Sequence, residues 1–223
     1  MRRLKTAVVA TLAVSALITA PAIAVAQDKY VVPAPGFVKS MPAPAEVHGE
    51  GIKASAVLNI QYQVQETGYW CGPAATRIAI SAKNGGPPSQ QQLANELPTS
   101  TNGTDWIGQV TRVLNGHVAG GWYETKEMPN DPPSQAQRDL LWNDIVLDIN
   151  KGYAIVANIV APANNHPPGY PNYTIYHYFT VIGYDSSDMT VKIADPASFG
   201  GNQIYWLTFN QLATLIPPKG YSA

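Results

Sequence analysis

Hydrophobic residues in the first half of the region that follows residue 57 recur every three or four positions, the spacing of one buried face of a helix. Four segments show this spacing, and they begin at Cys71, Ser89, Thr104 and Ser134. Pro73 suits a first helical turn, because the N–H that a proline lacks would be unpaired there. Ser89 and Gln92 form a capping-box pattern at the start of the second helix. The last segment predicts the longest helix, which ends at Asn150 ahead of Gly152.

The spacing of hydrophobic residues changes in the second half of the chain, where short runs of β-branched and aromatic residues lie between turn residues. These runs are Tyr153–Val160, Tyr176–Tyr184, Thr190–Ala194 and Gln203–Phe209. A final short helix is predicted at Asn210–Leu215. Helices followed by a cluster of strands are typical of an α+β fold, and we expect the strands to form an antiparallel sheet.

The first 26 residues have the pattern of a secretory signal peptide. A positive start with Arg2, Arg3 and Lys5 precedes an apolar run that ends in Ala-Val-Ala at residues 24–26. An uncleaved membrane anchor is the competing interpretation, since the run approaches the length of a bilayer span. Pro21 and the small residues around it favour cleavage. We therefore predict that residues 1–26 are a signal peptide and that the protein is secreted.

Residues 27–56 are rich in proline and alanine and show no sustained period. Such a composition is typical of extended, weakly ordered backbone, so this stretch is predicted to be a linker or N-terminal extension. A short pro-segment is the alternative interpretation. The folded domain is predicted to comprise residues 57–223.

Composition narrows the possible classes of function. Hydrophobic residues make up 45% of the 223 positions and charged residues 13%, which is sufficient for a buried core. The formal net charge is −1, from 14 basic and 15 acidic residues, and it becomes −4 once the three basic residues of the signal peptide are removed. This balance argues against a nucleic-acid partner. With one cysteine and no histidine cluster, we expect no disulfide framework, no bound metal and no cofactor.

The single cysteine, Cys71, lies where a helix is predicted to begin. The unpaired N–H groups and the dipole of a helix N-terminus favour the thiolate over the thiol. Gln65, six residues upstream, carries a side-chain amide that is able to donate to an oxyanion. A buried structural cysteine is the competing interpretation, because free cysteines are usually buried. The position of Cys71 favours a nucleophile.

A nucleophilic thiolate requires an imidazole beside it. The four histidines are His48 in the linker, His117 in a solvated loop after a predicted helix stop at Asn115-Gly116, His166 in a proline-rich loop and His177 at the start of the strongest strand. A strand holds a ring more rigidly than a loop does, so His177 is the candidate base. An ordinary strand-end histidine remains the alternative interpretation.

The imidazole also requires an acceptor on its second nitrogen. If the strands that begin at Tyr176 and Thr190 pair as a hairpin, their far ends come together, and these ends carry His177 and Asp195. We therefore expect Asp195 to orient the ring. The Asp195-Pro196 pair is also a common turn signal, which is the competing interpretation.

At this point the residues resemble a known family. Four motifs follow one another in a characteristic order, namely Gln65, Cys71-Gly72-Pro73-Ala74, Tyr176-His177-Tyr178 and Ala194-Asp195-Pro196. In this order they are similar to the double-glycine leader peptidases, family thirty-nine of the cysteine peptidases. The likeness extends from about Val57 to Leu215.

The resemblance implies a papain-like fold, with the nucleophile in a helical N-terminal half and His and Asp in a C-terminal antiparallel sheet. It implies that Gln65 contributes to an oxyanion hole, Cys71 is the nucleophile, His177 is the general base and Asp195 orients His177. The best-known members are fused to membrane helices and an ATPase. Because this sequence shows neither a second membrane stretch nor a phosphate-binding loop, it resembles a free-standing, secreted relative. The double-glycine substrate is not carried over.

The leading hypothesis is a secreted cysteine peptidase that acts as a monomer on a peptide or protein, with no membrane contact after signal cleavage. Trp70, His166 and Tyr176 are candidate substrate-binding residues. A cell-wall peptide amidase or an acyltransferase could use the same triad and ranks second. Cell-wall peptidases of papain-like fold usually carry Asp-Cys-Ser-Gly at the nucleophile, from which Trp70-Cys71-Gly72-Pro73 departs. A non-catalytic binding module that keeps the fold is the third hypothesis.

Overall fold

The computed structural model describes residues 41–49 and 51–223. The helices are α1 (Cys71–Ser81), α2 (Gln90–Glu96), α3 (Ile107–His117), α4 (Gln135–Lys151) and α5 (Phe209–Leu215). The strands are β1 (Ser55–Val57), β2 (Thr125–Glu127), β3 (Ile155–Ala161), β4 (Ile175–Asp185), β5 (Thr190–Ala194), β6 (Ile204–Thr208) and β7 (Gly220–Ser222). No helix in this part of the chain is both long enough and apolar enough to cross a membrane.

The predicted capping residues explain where α2 and α4 begin and where α4 ends. The side chain of Ser89 accepts a hydrogen bond from the backbone N–H of Gln92, and Ser134 forms a complete capping box with Gln137. Gly152 ends α4 in the left-handed conformation, with φ of 85°, which a glycine adopts at little cost.

Helix α3 departs from its sequence prediction at both ends. Its N-cap is Trp106 instead of the predicted Thr104, because the Thr104 hydroxyl is hydrogen-bonded to the Thr99 hydroxyl at 2.8 Å. The helix also continues through the predicted stop at Asn115-Gly116 as far as His117. His117 is therefore not a solvated loop residue, and its Nε2 lies 2.6 Å from Glu96 Oε2.

The seven strands form one antiparallel sheet in the order β2-β7-β3-β4-β5-β6, and β1 pairs with the far end of β4. The centre of the sheet is made of two consecutive hairpins, β3–β4 and β4–β5. A register shift between Val181 and Gly183 interrupts the second pairing. Three of the strands, β1, β2 and β7, are only three residues long and were not predicted.

Helices cover both faces of the sheet. Because both faces are buried, the sequences of its central strands are continuously hydrophobic. On one face, α1 and α3 pack against residues such as Val156 and Ile182. On the other, α4 and α5 pack against residues such as Ile155, Phe179 and Val191. The predicted α+β class, with the Cys71 helix first and the antiparallel sheet carrying His177 and Asp195 afterwards, is confirmed.

The described part of the N-terminal extension contacts the domain. Strand β1 pairs with β4 through Ser55 and Asp185, and the carbonyl of Pro42 accepts a hydrogen bond from Arg138 at 3.2 Å. Val47 and Ile52 pack against the core on the α4 side. The predicted signal peptide, residues 1–26, lies outside the described residues.

Candidate active site

Cys71 is the first residue of α1 and is largely buried. The helix can approach the neighbouring loop closely here because the next residue is Gly72, where a Cβ would clash with the side chain of Thr104. The backbone N–H groups of Gly72 and Tyr178 donate hydrogen bonds to the sulfur. The thiol therefore lies among N–H donors at a helix N-terminus, a setting that stabilises a thiolate.

His177 and Asp195 are brought together by the hairpin of β4 and β5. Thr180 on β4 lies opposite Ala194 on β5, so the start of β4 and the residue after β5 meet at the same end of the sheet. His177 Nε2 lies 2.8 Å from Asp195 Oδ1, and both side chains are buried. His177 also forms a hydrogen bond with Cys71. Because Nε2 faces Asp195, Nδ1 is the ring nitrogen left for the sulfur.

The carboxylate of Asp195 is surrounded by hydrogen-bond donors. Oδ1 accepts from His177 and from the backbone N–H of Ala197 at 3.0 Å. Oδ2 accepts from the hydroxyls of Tyr170 at 2.8 Å and Tyr205 at 2.7 Å. Two donors on each oxygen compensate for moving the charge out of water.

These contacts shift the pKa values of all three groups. Burial raises the pKa of the Cys71 thiol, but the hydrogen bond and positive charge of His177 outweigh it, so the pKa lies below its usual range. Burial lowers the pKa of His177, but the charge and hydrogen bond of Asp195 raise it to about 10. Burial likewise opposes ionisation of Asp195, yet His177 and the tyrosines hold its pKa below the usual range. The opposite shifts of Cys71 and His177 favour the ion pair of thiolate and imidazolium over the neutral thiol and imidazole, beside an ionised Asp195.

Gln65 lies near this group without lining its cavity. Its backbone N–H donates to the carbonyl of Pro196, the residue after Asp195, at 2.9 Å. Its side-chain Nε2 donates to the carbonyl of Thr67 at 2.8 Å, which fixes how the amide is turned. An amide nitrogen has two N–H groups, so one remains for another acceptor.

A cavity of about 200 Å³ opens beside Cys71 and His177. Of the three candidate substrate-binding residues, only Tyr176 lines it. His166 lies instead beside Tyr170, with its Nε2 3.1 Å from the carbonyl of Tyr173, and Trp70 precedes α1. The remaining lining residues are Asn102, Gly103, Thr104, Asp105, Asn158, Tyr178 and Lys219.

Several residues of the site were missed by the sequence analysis. Tyr170 and Tyr205 donate to Asp195, and Asn158 donates to the hydroxyl of Tyr178 at 2.9 Å. Tyrosines and asparagines are common in loops and strands, so neither residue type carries a local signal for this role. The part of the chain that the structure describes contains no group of three or more His, Cys, Asp or Glu side chains placed to hold a metal ion.

Residues 57–215 match the family described as Peptidase_C39 like, which is more than half of the chain. The chain belongs to the Peptidase_C39-like family. It is thus a cysteine-type peptidase, and the predicted family resemblance is confirmed. No protein with a curated description matches the sequence.

Three solved structures of cysteine peptidases are similar to this Peptidase_C39-like chain. The peptidase domain of Streptococcus ComA, a bi-functional ABC transporter involved in a quorum sensing pathway, is 16% identical, with a TM-score of 0.46 over 72% of this chain and 96% of that chain. Xylellain, a cysteine protease from Xylella fastidiosa, is 13% identical, with a TM-score of 0.46 over 85% and 95%. The Carica candamarcensis cysteine protease CMS1MS2 is 13% identical, with a TM-score of 0.49 over 77% and 97%. At this level of similarity, these structures add nothing to the family assignment.

Proposed function

We propose that the protein is a secreted cysteine peptidase that hydrolyses peptide bonds through Cys71, His177 and Asp195. The observation that carries the proposal is the chain of hydrogen bonds from the Cys71 sulfur through the His177 ring to Asp195. The lowered pKa of Cys71 and the raised pKa of His177 favour an ion pair in which the nucleophile is already deprotonated.

In the first half of the reaction, the Cys71 thiolate attacks the carbonyl carbon of the scissile bond and the carbonyl oxygen becomes an oxyanion. The C–N bond then breaks, and the His177 imidazolium protonates the leaving amine. In the second half, His177 removes a proton from water, which attacks the thioester and regenerates the thiolate. Asp195 remains ionised throughout and orients the ring.

The oxyanion is proposed to bind the backbone N–H of Cys71 and the side chain of Gln65. An N–H at the first position of a helix has no partner within the helix. The Gln65 amide is held by Thr67 with one N–H free, which supports its assignment as the second donor. Fixed donors of this kind stabilise the developing charge without reorganising during the reaction.

Export is proposed from the sequence pattern of residues 1–26. Mass spectrometry of the protein from culture medium should then find Gln27 at the N-terminus. Retention in the membrane fraction with Met1 intact would contradict the proposal.

The peptidase proposal is tested with protein produced from residues 1–223 and a library of internally quenched peptides. The wild type should cleave a subset of peptides, while Cys71→Ala and His177→Ala should each abolish cleavage. The double variant should lose little more, because members of a triad act as a unit. Gln65→Ala should lower kcat about 100-fold or more. His117→Ala is the matched control, since His117 pairs with Glu96 away from the site, and it should retain activity. Equal cleavage by the wild type and Cys71→Ala would refute the mechanism.

A further inference from the structure

The cavity beside Cys71 adjoins a second cavity of about 250 Å³. Asp105, Asn158 and Lys219 line both cavities, so the two volumes meet at these residues. Trp106 and Glu127 line only the second one. Trp106 therefore lies at the cavity that adjoins the one beside the nucleophile.

The first cavity is polar. Besides Cys71, His177 and two tyrosines, the side chains around it belong to Asn102, Thr104, Asp105, Asn158 and Lys219, and its described lining contains no aliphatic side chain. A large apolar side chain of a substrate gains little from burial in such surroundings. The first cavity therefore offers little basis for selecting an apolar side chain, and such selectivity must come from residues outside it.

Trp106 is an exposed aromatic residue that the fold holds in one position. Its side chain is 54% exposed, yet its Nε1–H donates to Glu127 Oε1 at 3.1 Å. Its backbone N–H donates to Gln109 Oε1, also at 3.1 Å. The ring lies directly over Gly108, where a Cβ would clash with it. Because the indole is already immobilised, stacking a second ring on it costs little conformational entropy.

We propose that Trp106 is a remote substrate-binding residue that selects peptides with an aromatic side chain. The polar cavity at Cys71 accepts small or polar residues around the scissile bond, and the chain continues along Asp105 and Lys219, which line both cavities, to place its aromatic residue on the indole. This inference rests on the proposed peptidase function, since it assigns the substrate of that same site. It names a requirement that the catalytic residues alone do not impose.

The test compares positions of the substrate in a positional-scanning library of internally quenched octapeptides. For the full-length wild type, kcat/KM should be about 10-fold higher with Phe than with Ala at one position that does not flank the scissile bond. In Trp106→Ala this ratio should fall close to one. Gly108→Ala, which displaces the ring without removing it, should lower the ratio in the same direction. Leu140→Ala removes an exposed hydrophobic side chain from α4, on the other face of the sheet, and should leave the ratio unchanged.

A second measurement separates this inference from the peptidase proposal. Fluorescence anisotropy of labelled, uncleaved octapeptides on the Cys71→Ala protein should show the same preference for Phe, and the preference should be lost in Cys71→Ala with Trp106→Ala. If the wild type cleaves nothing while this binding preference is present, the peptidase function fails and the role of Trp106 stands. Equal cleavage or binding of Phe and Ala peptides at every position, or a ratio that survives Trp106→Ala in proteins with unchanged thermal melts, would overturn the inference.

Discussion

The hydroxyl of Tyr205 donates a hydrogen bond of 2.7 Å to Oδ2 of Asp195, on the oxygen that does not face His177. Tyr205 lies on β6, the edge strand that pairs with β5, and Asp195 directly follows β5. The pairing of β5 and β6 therefore supplies the orienting carboxylate with a buried donor. Tyr170 reaches the same oxygen from the loop before β4.

Tyr205→Phe and Tyr170→Phe should each weaken this arrangement without removing it. The carboxylate loses one of its donors, so the free energy of unfolding at pH 7 should fall by about 2 kcal/mol. The folded-state pKa of Asp195 is depressed, so its stabilising contribution is present above the ordinary carboxyl pKa and is lost as the pH falls through the folded value. The difference between variant and wild type should accordingly shrink in acid. Urea unfolding from pH 7 down to about pH 2, well below the ordinary carboxyl pKa of about 3.9, measures it, and a difference that stays constant over this whole range would contradict the assignment.

The ion pair of Cys71 and His177 predicts different pH profiles for labelling and for turnover. Iodoacetamide should alkylate Cys71 with a midpoint below the usual thiol value of about 8.5, since the pKa of Cys71 is lowered. Labelling should stay high at alkaline pH, because the thiolate persists. Turnover should decline as the pH rises through about 10, where His177 loses the proton that the leaving amine needs. In His177→Ala the labelling midpoint should return towards 8.5, and an unshifted midpoint would exclude the ion pair.

Asp195→Asn should leave weak but measurable peptidase activity. The amide can still accept a hydrogen bond from His177, but it lacks the charge that raises the pKa of the ring. The loss of kcat should therefore be about 100-fold smaller than for Cys71→Ala. The alkaline limit of turnover should also move to lower pH than in the wild type. Complete inactivity in a folded protein would assign Asp195 more than an orienting role.

Asp148 on α4 should destabilise the fold at neutral pH. Burial raises its pKa to about 6, although Trp122 Nε1–H donates to Oδ1 at 2.9 Å. The cost is absent below pH 4, where the folded and unfolded states are both protonated, and it is complete above about pH 6. Asp148→Asn should therefore increase the free energy of unfolding at pH 7.5 by up to about 3 kcal/mol, with little change at pH 4. Equal effects at the two pH values would contradict the assignment.

Trimming the N-terminal extension tests whether it is only a linker, as the sequence predicts. A protein that starts at residue 41 keeps β1 and the contact of Pro42 with Arg138. One that starts at Val57 loses most of β1, and also the carbonyl of Lys53 that accepts from the Tyr184 hydroxyl. We expect the shorter protein to be less stable by at least about 2 kcal/mol, because several hydrogen bonds disappear. Thermal and urea unfolding of the two proteins decide this, and equal stability would support a linker.

The sequence by itself determined the α+β class and the chain order of the candidate site. Helical spacing and caps are local properties, so α4 is predicted to within one residue at either end, as residues 134–150 against the observed Gln135–Lys151. Strand β5 is predicted with its observed bounds, because a run of β-branched residues between turn residues is also a local signal. The hairpin of β4 and β5 is local as well, because a short turn joins the two strands, and this alone predicts that His177 and Asp195 lie side by side.

Only the tertiary structure decided which distant residues surround those side chains. Strands of three residues, such as β1 and β7, are too short to show a period, and they form because β4 and β3 offer them partners. The N-cap of α3 is Trp106 and not the predicted Thr104, because the Thr104 side chain packs against Gly72 and forms a hydrogen bond with the Thr99 hydroxyl. Tyr205 donates to Asp195 because β6 pairs with β5 and the Tyr205 side chain is buried on the side of the sheet that faces Asp195. Such contacts depend on the packing of whole elements, which the spacing of residues along the chain does not encode.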